Sequence, residues 1–216
     1  MTAGTFLTET LPGYDGGRQV TVYVPADPPR LVVFAGDGQT ISRWGSVLET
    51  VGALSTVIVG VHGSDDESLR LSEYSPVFDA DRFAAHEEFF VNDVRGWLSS
   101  HLGVAIPAAR TAVFGYSAGA ELALALGIRH PEIFGAVIAG SPGGGYKPKD
   151  VLPEPLPRFY LFAGTLEPFF QENMTRWADA LRDSGADVTI NERELAHGAH
   201  AWRAEFPCMV SWMLPE

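Results

Sequence analysis

Residues 111–129 read TAVFGYSAGAELALALGIR, and this stretch carries the strongest indication of the fold. Its first part, Thr111–Gly115, is a short apolar run of the kind that forms buried strands. Its last part, Ala118–Arg129, has helical spacing and small alanines that allow close packing on a sheet. The segment between them, Gly115-Tyr116-Ser117-Ala118-Gly119, matches G-x-S-x-G, in which a sharp strand-to-helix turn exposes a serine hydroxyl. The stretch therefore predicts Ser117 as a nucleophile.

The rest of the chain alternates strand-like runs with segments of helical period, which is typical of a mostly parallel sheet with helices on both faces. We expect one α/β-hydrolase domain over residues 1–216, without a separate lid domain. The polar segment 62–82 and the segment 141–157, rich in Gly and Pro, predict long loops that form pocket walls. The predicted strands are Val20–Val24, Leu31–Ala35, Thr56–Val61, Thr111–Gly115, Ala136–Ala139, Phe159–Ala163 and Val188–Asn191. The predicted helices are Phe83–His101, Ala118–Arg129, Glu172–Ser184 and Ala201–Met213.

The composition argues against several classes of binding partner. The formal net charge is −12 with no block of Lys or Arg, which disfavours nucleic acid and anionic membrane surfaces. No apolar run approaches the roughly 20 residues of a membrane span, and the first residues do not resemble a secretory signal. Cys208 is the single cysteine, so no internal disulfide is possible and a cytoplasmic location is expected. The apolar residues around it predict a buried thiol.

The acid that would act with Ser117 follows it along the chain, since this fold orders its residues as Ser, then Asp or Glu, then His. Glu167 comes just after the predicted strand Phe159–Ala163. A carboxylate at that strand end can orient a histidine and stabilise its protonated form. The alternative is an exposed acid in the first turn of the following helix.

Two histidines after the last predicted strand, His197 and His200, compete for the role of base. The base should lie in the loop before the final helix and point back over the sheet edge. His200 is predicted to stand at the entrance of that helix, after Gly198 and Ala199, and is therefore favoured. His197 would then be a polar loop residue.

Two backbone N–H groups should stabilise the oxyanion that forms on the attacked carbonyl. One belongs to Ala118, directly after the nucleophile. The other is assigned to Gln39, in the glycine-containing loop 36–39 that follows the predicted strand Leu31–Ala35. No metal or other cofactor is expected, because the sequence His86-Glu87-Glu88 lacks the second histidine of H-E-x-x-H.

Six motifs together resemble the "putative esterase" family, which is similar to esterase D, feruloyl esterases, the mycolyltransferases of antigen 85 and ferric enterobactin esterase. They are Asp37-Gly38-Gln39, Arg70-x-x-Glu73-Tyr74-x-Pro76, Gly115-Tyr116-Ser117-Ala118-Gly119, Ser141-Pro142-Gly143-Gly144, Gly164-x-x-Glu167-Pro168 and Gly198-x-His200-x-Trp202. The Glu-Pro acid motif looks most like the enterobactin-esterase branch. The resemblance implies a serine esterase acting on a small-molecule ester, with the triad Ser117, Glu167 and His200. Its motifs also suggest a substrate pocket near Gly38, Arg70, Tyr74 and Tyr116.

Three functions remain compatible with these residues. A carboxylic-ester hydrolase would release the acyl group from Ser117 to water. An acyltransferase would use the same acyl-enzyme with an acceptor hydroxyl in place of water. A catalytically silent binding protein would keep the fold alone, which the intact set of candidate residues disfavours. The identity of the ester and the oligomeric state are left open.

Overall fold

An eight-stranded sheet forms the centre of the computed structural model, which describes residues 4–50, 55–103 and 107–213. The strands are β1 (Thr5–Leu11), β2 (Arg18–Val24), β3 (Leu31–Ala35), β4 (Thr56–Val61), β5 (Thr111–Tyr116), β6 (Ala136–Gly140), β7 (Arg158–Gly164) and β8 (Val188–Arg193). Their order in the sheet is β1-β2-β4-β3-β5-β6-β7-β8. The pairs β1–β2 and β2–β4 are antiparallel, and the remaining pairs are parallel. The predicted mostly parallel sheet is confirmed.

Helices cover both faces of this sheet. They are α1 (Gly38–Ile41), α2 (Gly45–Thr50), α3 (Glu67–Tyr74), α4 (Ala80–Glu88), α5 (Arg95–Leu102), α6 (Ala118–Arg129), α7 (Pro168–Asp183) and α8 (Ala199–Trp212). One apolar cluster contains Leu122 of α6 and Trp177 of α7, and the other contains Ile41 of α1 and Phe206 of α8. Alternate side chains of a strand point to opposite faces, and strands β2 to β7 accordingly contribute to both clusters. Among the helices in the described ranges, none has the length and apolar character needed to cross a membrane.

Several predicted elements differ from the observed ones. Strand β1 was not predicted, and its residues are mostly exposed because it forms the edge of the sheet beside β2. The segment 62–82, predicted as a loop, contains helix α3 and the start of α4. A π-helical segment, Phe89–Val94, connects α4 to α5 within the helix predicted over Phe83–His101. Helix α8 begins at Ala199, two residues before the predicted start, and this difference changes the site described next.

Cys208 is exposed, so the prediction of a buried thiol is wrong. The buried side chains of α8 include Trp202, Phe206 and Met209, which share one face of the helix. At 100° per residue, position 208 lies about 100° from position 209 and so falls outside that buried stripe. An apolar neighbourhood in the sequence does not bury a residue whose helical phase points to solvent.

Candidate active site

Ser117 lies between strand β5 and helix α6. Its φ of 54° and ψ of −124° form a strained combination for a residue with a side chain. The Ser117 N–H donates to the Gly140 carbonyl at 2.9 Å and helps to hold this conformation. A Cβ at Gly115 would lie 1.9 Å from the carbonyl oxygen of Gly119, so the turn requires glycine there. The predicted sharp strand-to-helix turn at the serine is confirmed.

Glu167 lies directly before helix α7, and only 6% of its surface is exposed. Its Oε1 accepts hydrogen bonds from the Gly164 N–H at 2.6 Å and from Ser141 Oγ at 2.5 Å. Its Oε2 lies 2.5 Å from Nδ1 of His197. These contacts hold the carboxylate in one orientation beside an imidazole. The alternative interpretation of Glu167 as an exposed helix-start acid is therefore wrong.

The histidine between the carboxylate and the serine is His197, and the prediction of His200 in this place is wrong. Nε2 of His197 lies 3.2 Å from Ser117 Oγ, while its Nδ1 contacts Glu167. Because helix α8 begins at Ala199, His200 belongs to the helix and not to the loop before it. At 100° per residue, position 200 is turned about 160° away from the buried Trp202, and His200 is exposed. Together, Ser117, His197 and Glu167 form the serine cluster.

Ser141 supports the serine cluster from behind. It is fully buried and has a φ of 46°, in the left-handed region. Its Oγ donates to Glu167 and accepts from the indole Nε1 of Trp202 at 2.9 Å, and its N–H donates to the Phe162 carbonyl at 2.6 Å. The sequence showed Ser141 only as part of the motif Ser-Pro-Gly-Gly. Its contact with a carboxylate 26 positions later depends on the pairing of β6 with β7.

Aromatic rings fix the imidazole of His197. The Phe170 ring stacks on it with centroids 3.8 Å apart and planes inclined by 15°, and the Trp202 ring meets it edge-on at 4.7 Å. Trp202 in turn stacks on Tyr116, whose other face packs against Trp44 at 5.7 Å. Burial raises the pKa of Tyr116 to about 12, so its phenol stays neutral. The side chain of His197 remains 32% exposed, which leaves the imidazole accessible to small molecules.

The loop after strand β3 is held by Asp37, whose φ of 51° is left-handed. Its N–H donates to the Tyr74 hydroxyl at 2.6 Å, and that hydroxyl donates to Asp37 Oδ1 at 3.1 Å. Arg70 donates from Nε and Nη2 to the two carboxylate oxygens, each at 2.7 Å. Burial alone lowers the pKa of Arg70, but the hydrogen bonds and charge of Asp37 outweigh it and raise that pKa, so Arg70 stays protonated.

Two backbone N–H groups point from helix starts near the serine. Ala118 is the first residue of α6 and Gln39 the second of α1, and N–H groups at such positions have no partner inside their own helix. A Cβ at Gly119 would lie 3.5 Å from Oδ2 of Asp37, which shows how close the two helix starts are. The side chain of Gln39 is held separately, because its Oε1 accepts from the Gly63 N–H at 3.1 Å.

Three residues predicted to line a substrate pocket have other roles. Tyr74 is 0% exposed, so the prediction that it lines an open pocket is wrong. The guanidinium of Arg70 is occupied by Asp37 and cannot serve as a free anion site. Gly38 allows close packing, because a Cβ there would lie 2.0 Å from the carbonyl oxygen of Gly60. Tyr116, half-buried beside the serine cluster, stays a candidate for contact with substrate.

A buried ionic network anchors helix α3, which carries Arg70 and Tyr74. Its centre is Glu73, which is 0% exposed and accepts from both terminal nitrogens of Arg18, at 2.7 and 3.0 Å, and from Arg82 at 2.7 Å. Burial raises the pKa of Glu73, but the hydrogen bond from Arg18 and the other positive partners outweigh it and lower that pKa. The motif that the sequence shows as Arg-x-x-Glu-Tyr is thus a structural brace for the Asp37 loop.

The serine cluster contains the groups that nucleophilic catalysis by serine requires: a hydroxyl, an imidazole that can accept its proton, and a carboxylate that orients the imidazole. Glu167 can only accept hydrogen bonds when ionised, so Nδ1 of His197 carries the hydrogen and Nε2 is free to accept one from Ser117.

Across the described residues, no group of three or more His, Cys, Asp or Glu side chains is arranged to hold a metal ion.

The sequence matches the family model described as "Putative esterase" over residues 13–152, which is more than half of the chain. The matched range includes Ser117 and the Asp37 loop and ends before Glu167 and His197. A comparison with curated proteins found no significant match. The family match therefore covers the nucleophile, while the other two members of the serine cluster are located by the structure.

Solved structures of esterases share the fold. Enterochelin esterase from Shigella flexneri superposes with a TM-score of 0.79 at 18% identity, covering 96% of this chain and 57% of that one. This chain thus spans little more than half the length of the Shigella enzyme. The CE1 ferulic acid esterase from Anaeromyces mucronatus gives 0.72 at 17% identity, over 97% of this chain and 89% of that one. S-formylglutathione hydrolase from Staphylococcus aureus gives 0.71 at 11% identity, over 99% and 98%. The family match covers more than half of the chain, so this chain belongs to the "Putative esterase" family, and the solved structures show that it has the α/β-hydrolase fold.

Proposed function

We propose that the protein hydrolyses small-molecule esters through an acyl-enzyme on Ser117, with His197 as general base and Glu167 as the orienting acid. The observation that carries this proposal is the continuous hydrogen-bonded chain from Ser117 Oγ through His197 to Glu167, at 3.2 and 2.5 Å. Its geometry falls within the reach needed for proton transfer between a nucleophile and its base.

In the first step, Nε2 of His197 takes the hydroxyl proton of Ser117 as Oγ attacks the ester carbonyl. The carbonyl π electrons move to oxygen and form the oxyanion, which the N–H groups of Ala118 and Gln39 stabilise. The C–O bond to the alcohol then breaks, and His197 returns the proton to the departing alkoxide. The alcohol leaves, and the acyl group remains bonded to Ser117.

In the second step, a water molecule attacks the acyl carbonyl while His197 accepts one of its protons. Collapse of the new oxyanion breaks the bond to Ser117 Oγ, and the same proton returns to that oxygen. The products are the free acid and the restored enzyme. Glu167 keeps its charge throughout and stabilises the imidazolium, and Ser141 and Trp202 keep Glu167 in place.

The first test of this proposal is covalent labelling of the nucleophile. A fluorophosphonate probe should label the wild type and not Ser117→Ala, and hydrolysis of 4-nitrophenyl butyrate should be lost in the same variant. Ser211→Ala, which changes a serine exposed on helix α8, is the matched control and should be labelled like the wild type. Equal labelling of Ser117→Ala and wild type would contradict the proposal.

Hydrolysis and acyl transfer differ in the second step, and product analysis separates them. With an added alcohol at a concentration far below that of water, a hydrolase should release mainly free acid. The open access to His197, whose side chain is 32% exposed, supports attack by water. Transfer of most acyl groups to the added alcohol would instead identify an acyltransferase.

A further inference from the structure

A cavity of about 290 Å³ lies between helix α7 and the loop that follows strand β6. The N–H of Gly143, adjacent to the cavity-lining Gly144, donates to the Ser117 carbonyl at 3.4 Å. Phe169, which also lines the cavity, contacts Phe170, whose ring stacks on the histidine of the serine cluster. A substrate attacked by the serine can therefore extend into this cavity.

Asn173 contributes an unpartnered donor to this cavity. It is 4% exposed, and its Oδ1 accepts from Nη1 of Arg176 at 2.6 Å. Arginine can only donate, so this contact determines which end of the amide is oxygen. The other end, Nδ2, has no hydrogen-bond partner among the described residues. This buried atom lies 3.3 Å from the place that a Cβ on Gly144 would occupy, and Gly144 and Asn173 both line the cavity. A buried donor of this kind favours a ligand that brings an acceptor.

Positive charge surrounds the same cavity. Lys147 and Arg176 both line it, and Glu172, which pairs with Arg176 at 2.8 Å, is the carboxylate among its lining residues. Two cations and one carboxylate give a net charge of +1, in a chain whose formal net charge is −12. The buried Glu121 lies behind the loop, where its carboxylate already accepts two N–H groups of that loop. The favoured acceptor is therefore an anion such as a carboxylate.

The shape of the cavity suits a carbon chain. The ring of Phe169 is 59% exposed and offers an apolar surface. A Cβ on Gly144 would lie 2.8 Å from the end of that ring, so glycine allows the ring to pack closely against the loop while its outer side stays exposed. An extended chain can pass against the ring and place its polar end at Asn173.

We propose that this cavity is a subsite for a carboxylate that the ester carries at a distance from the scissile bond. This inference rests on the ester hydrolysis proposed above and names its substrate class. The substrate's carbon chain lies against Phe169, and its carboxylate accepts from Nδ2 of Asn173. Lys147 and Arg176 supply the opposite charge.

The test compares esters that differ only in a terminal carboxylate. 4-Nitrophenyl monoesters of adipic to sebacic acid are paired with 4-nitrophenyl hexanoate to decanoate. Acetates of ω-hydroxy acids are paired with acetates of alcohols of equal length, so that both sides of the ester are sampled. Diacids of this length avoid the intramolecular attack that cleaves shorter monoesters without enzyme. The quantity compared is the ratio of kcat/KM for the two members of a pair, which cancels changes that affect both esters alike.

We expect the wild-type ratio to peak at one chain length. At that length, Asn173→Asp should lower the ratio at least about tenfold, because its carboxylate repels that of the substrate. Lys147→Gln should lower it about threefold through loss of an exposed charge. The matched control is Lys149→Gln, which removes an exposed lysine outside the cavity and should leave the ratio unchanged.

Equal ratios in the wild type, Asn173→Asp and Lys147→Gln at every length in both series would overturn the subsite and leave ester hydrolysis intact. If Asn173→Asp does not fold, the exposed Lys147 carries the same comparison. If no ester is turned over, titration of suberate into ¹⁵N-labelled protein tests the subsite alone. A shift of the Asn173 side-chain amide signals would then support it, and unchanged signals would overturn it.

Discussion

Replacing His197 with alanine should remove the base from the serine cluster, and the same change at His200 should leave activity close to that of the wild type. Nε2 of His197 lies 3.2 Å from Ser117 Oγ, within the reach of a general base. His200 is exposed on the opposite side of helix α8 from Trp202. The pair of variants therefore tests directly which histidine acts.

The expected size of the effect follows from this geometry. General-base catalysis by a positioned side chain contributes ~10²–10⁴-fold, so His197→Ala should lower kcat/KM about 10³-fold. At 1.36 kcal/mol for each factor of ten, that is about 4 kcal/mol of transition-state stabilisation. His200→Ala should stay within about twofold, because an exposed side chain that contacts no reacting group can be removed at little cost.

Initial rates with 4-nitrophenyl butyrate measure both effects. His197→Gln serves as a second variant, because glutamine keeps a polar side chain but cannot take up the serine proton. Thermal unfolding of each variant checks the fold, since loss of the imidazole stacked on Phe170 should cost only about 1 kcal/mol. A hundredfold loss in His200→Ala together with near wild-type rates in His197→Ala would refute the reasoning.

Three further predictions concern residues outside the serine cluster. Ser141→Ala removes a hydrogen-bond donor to Glu167 and should lower kcat about tenfold with little change in KM, because a charge-assisted hydrogen bond is worth ~1.5–3 kcal/mol. An unchanged kcat in steady-state measurements would count against a positioning role for Ser141. Arg70→Met leaves the buried carboxylate of Asp37 without its cation and should lower the free energy of unfolding by about 3–5 kcal/mol. Urea unfolding measures this change, and a loss under 1 kcal/mol would contradict a bracing role for Arg70. Burial lowers the pKa of His86 to about 4 from its ordinary 6.5, so between these pH values the unfolded chain binds a proton that the folded protein does not. The free energy of unfolding should therefore fall by up to about 3 kcal/mol between pH 6.5 and pH 4 through this group. Denaturant titrations at several pH values measure this fall, and His86→Phe should make the dependence on pH flatter. An unchanged dependence on pH in that variant would argue against a contribution from His86.

Elements with strong local patterns could be predicted from the sequence. Strand β4 is apolar after its first residue and helix α6 is rich in alanine and leucine, and both were predicted with their observed bounds. Strand β1 was missed because most of its side chains are exposed, so its sequence carries no apolar run. Helix α3 was missed because its stabilising contacts come from Glu73 and from partners far along the chain.

Local sequence signals were enough to predict the turn at Ser117 and the position of Glu167. Both depend on neighbouring residues: Gly115 permits the tight turn at Ser117, and Glu167 lies three residues after the end of β7. Which histidine meets them was decided by the tertiary structure. Because helix α8 begins at Ala199, His200 lies inside the helix and is turned about 160° away from the buried Trp202, which belongs to a core cluster against the sheet.

The tertiary structure also decided which polar residues serve the site indirectly. Arg70 and Tyr74 hold the Asp37 loop instead of contacting substrate, and Ser141 holds Glu167. Each of these contacts joins residues 26 to 37 positions apart. Such partners come together only when parallel strands align their ends, so local sequence patterns cannot specify them. A steric requirement between adjacent residues, in contrast, can be recognised in the sequence itself.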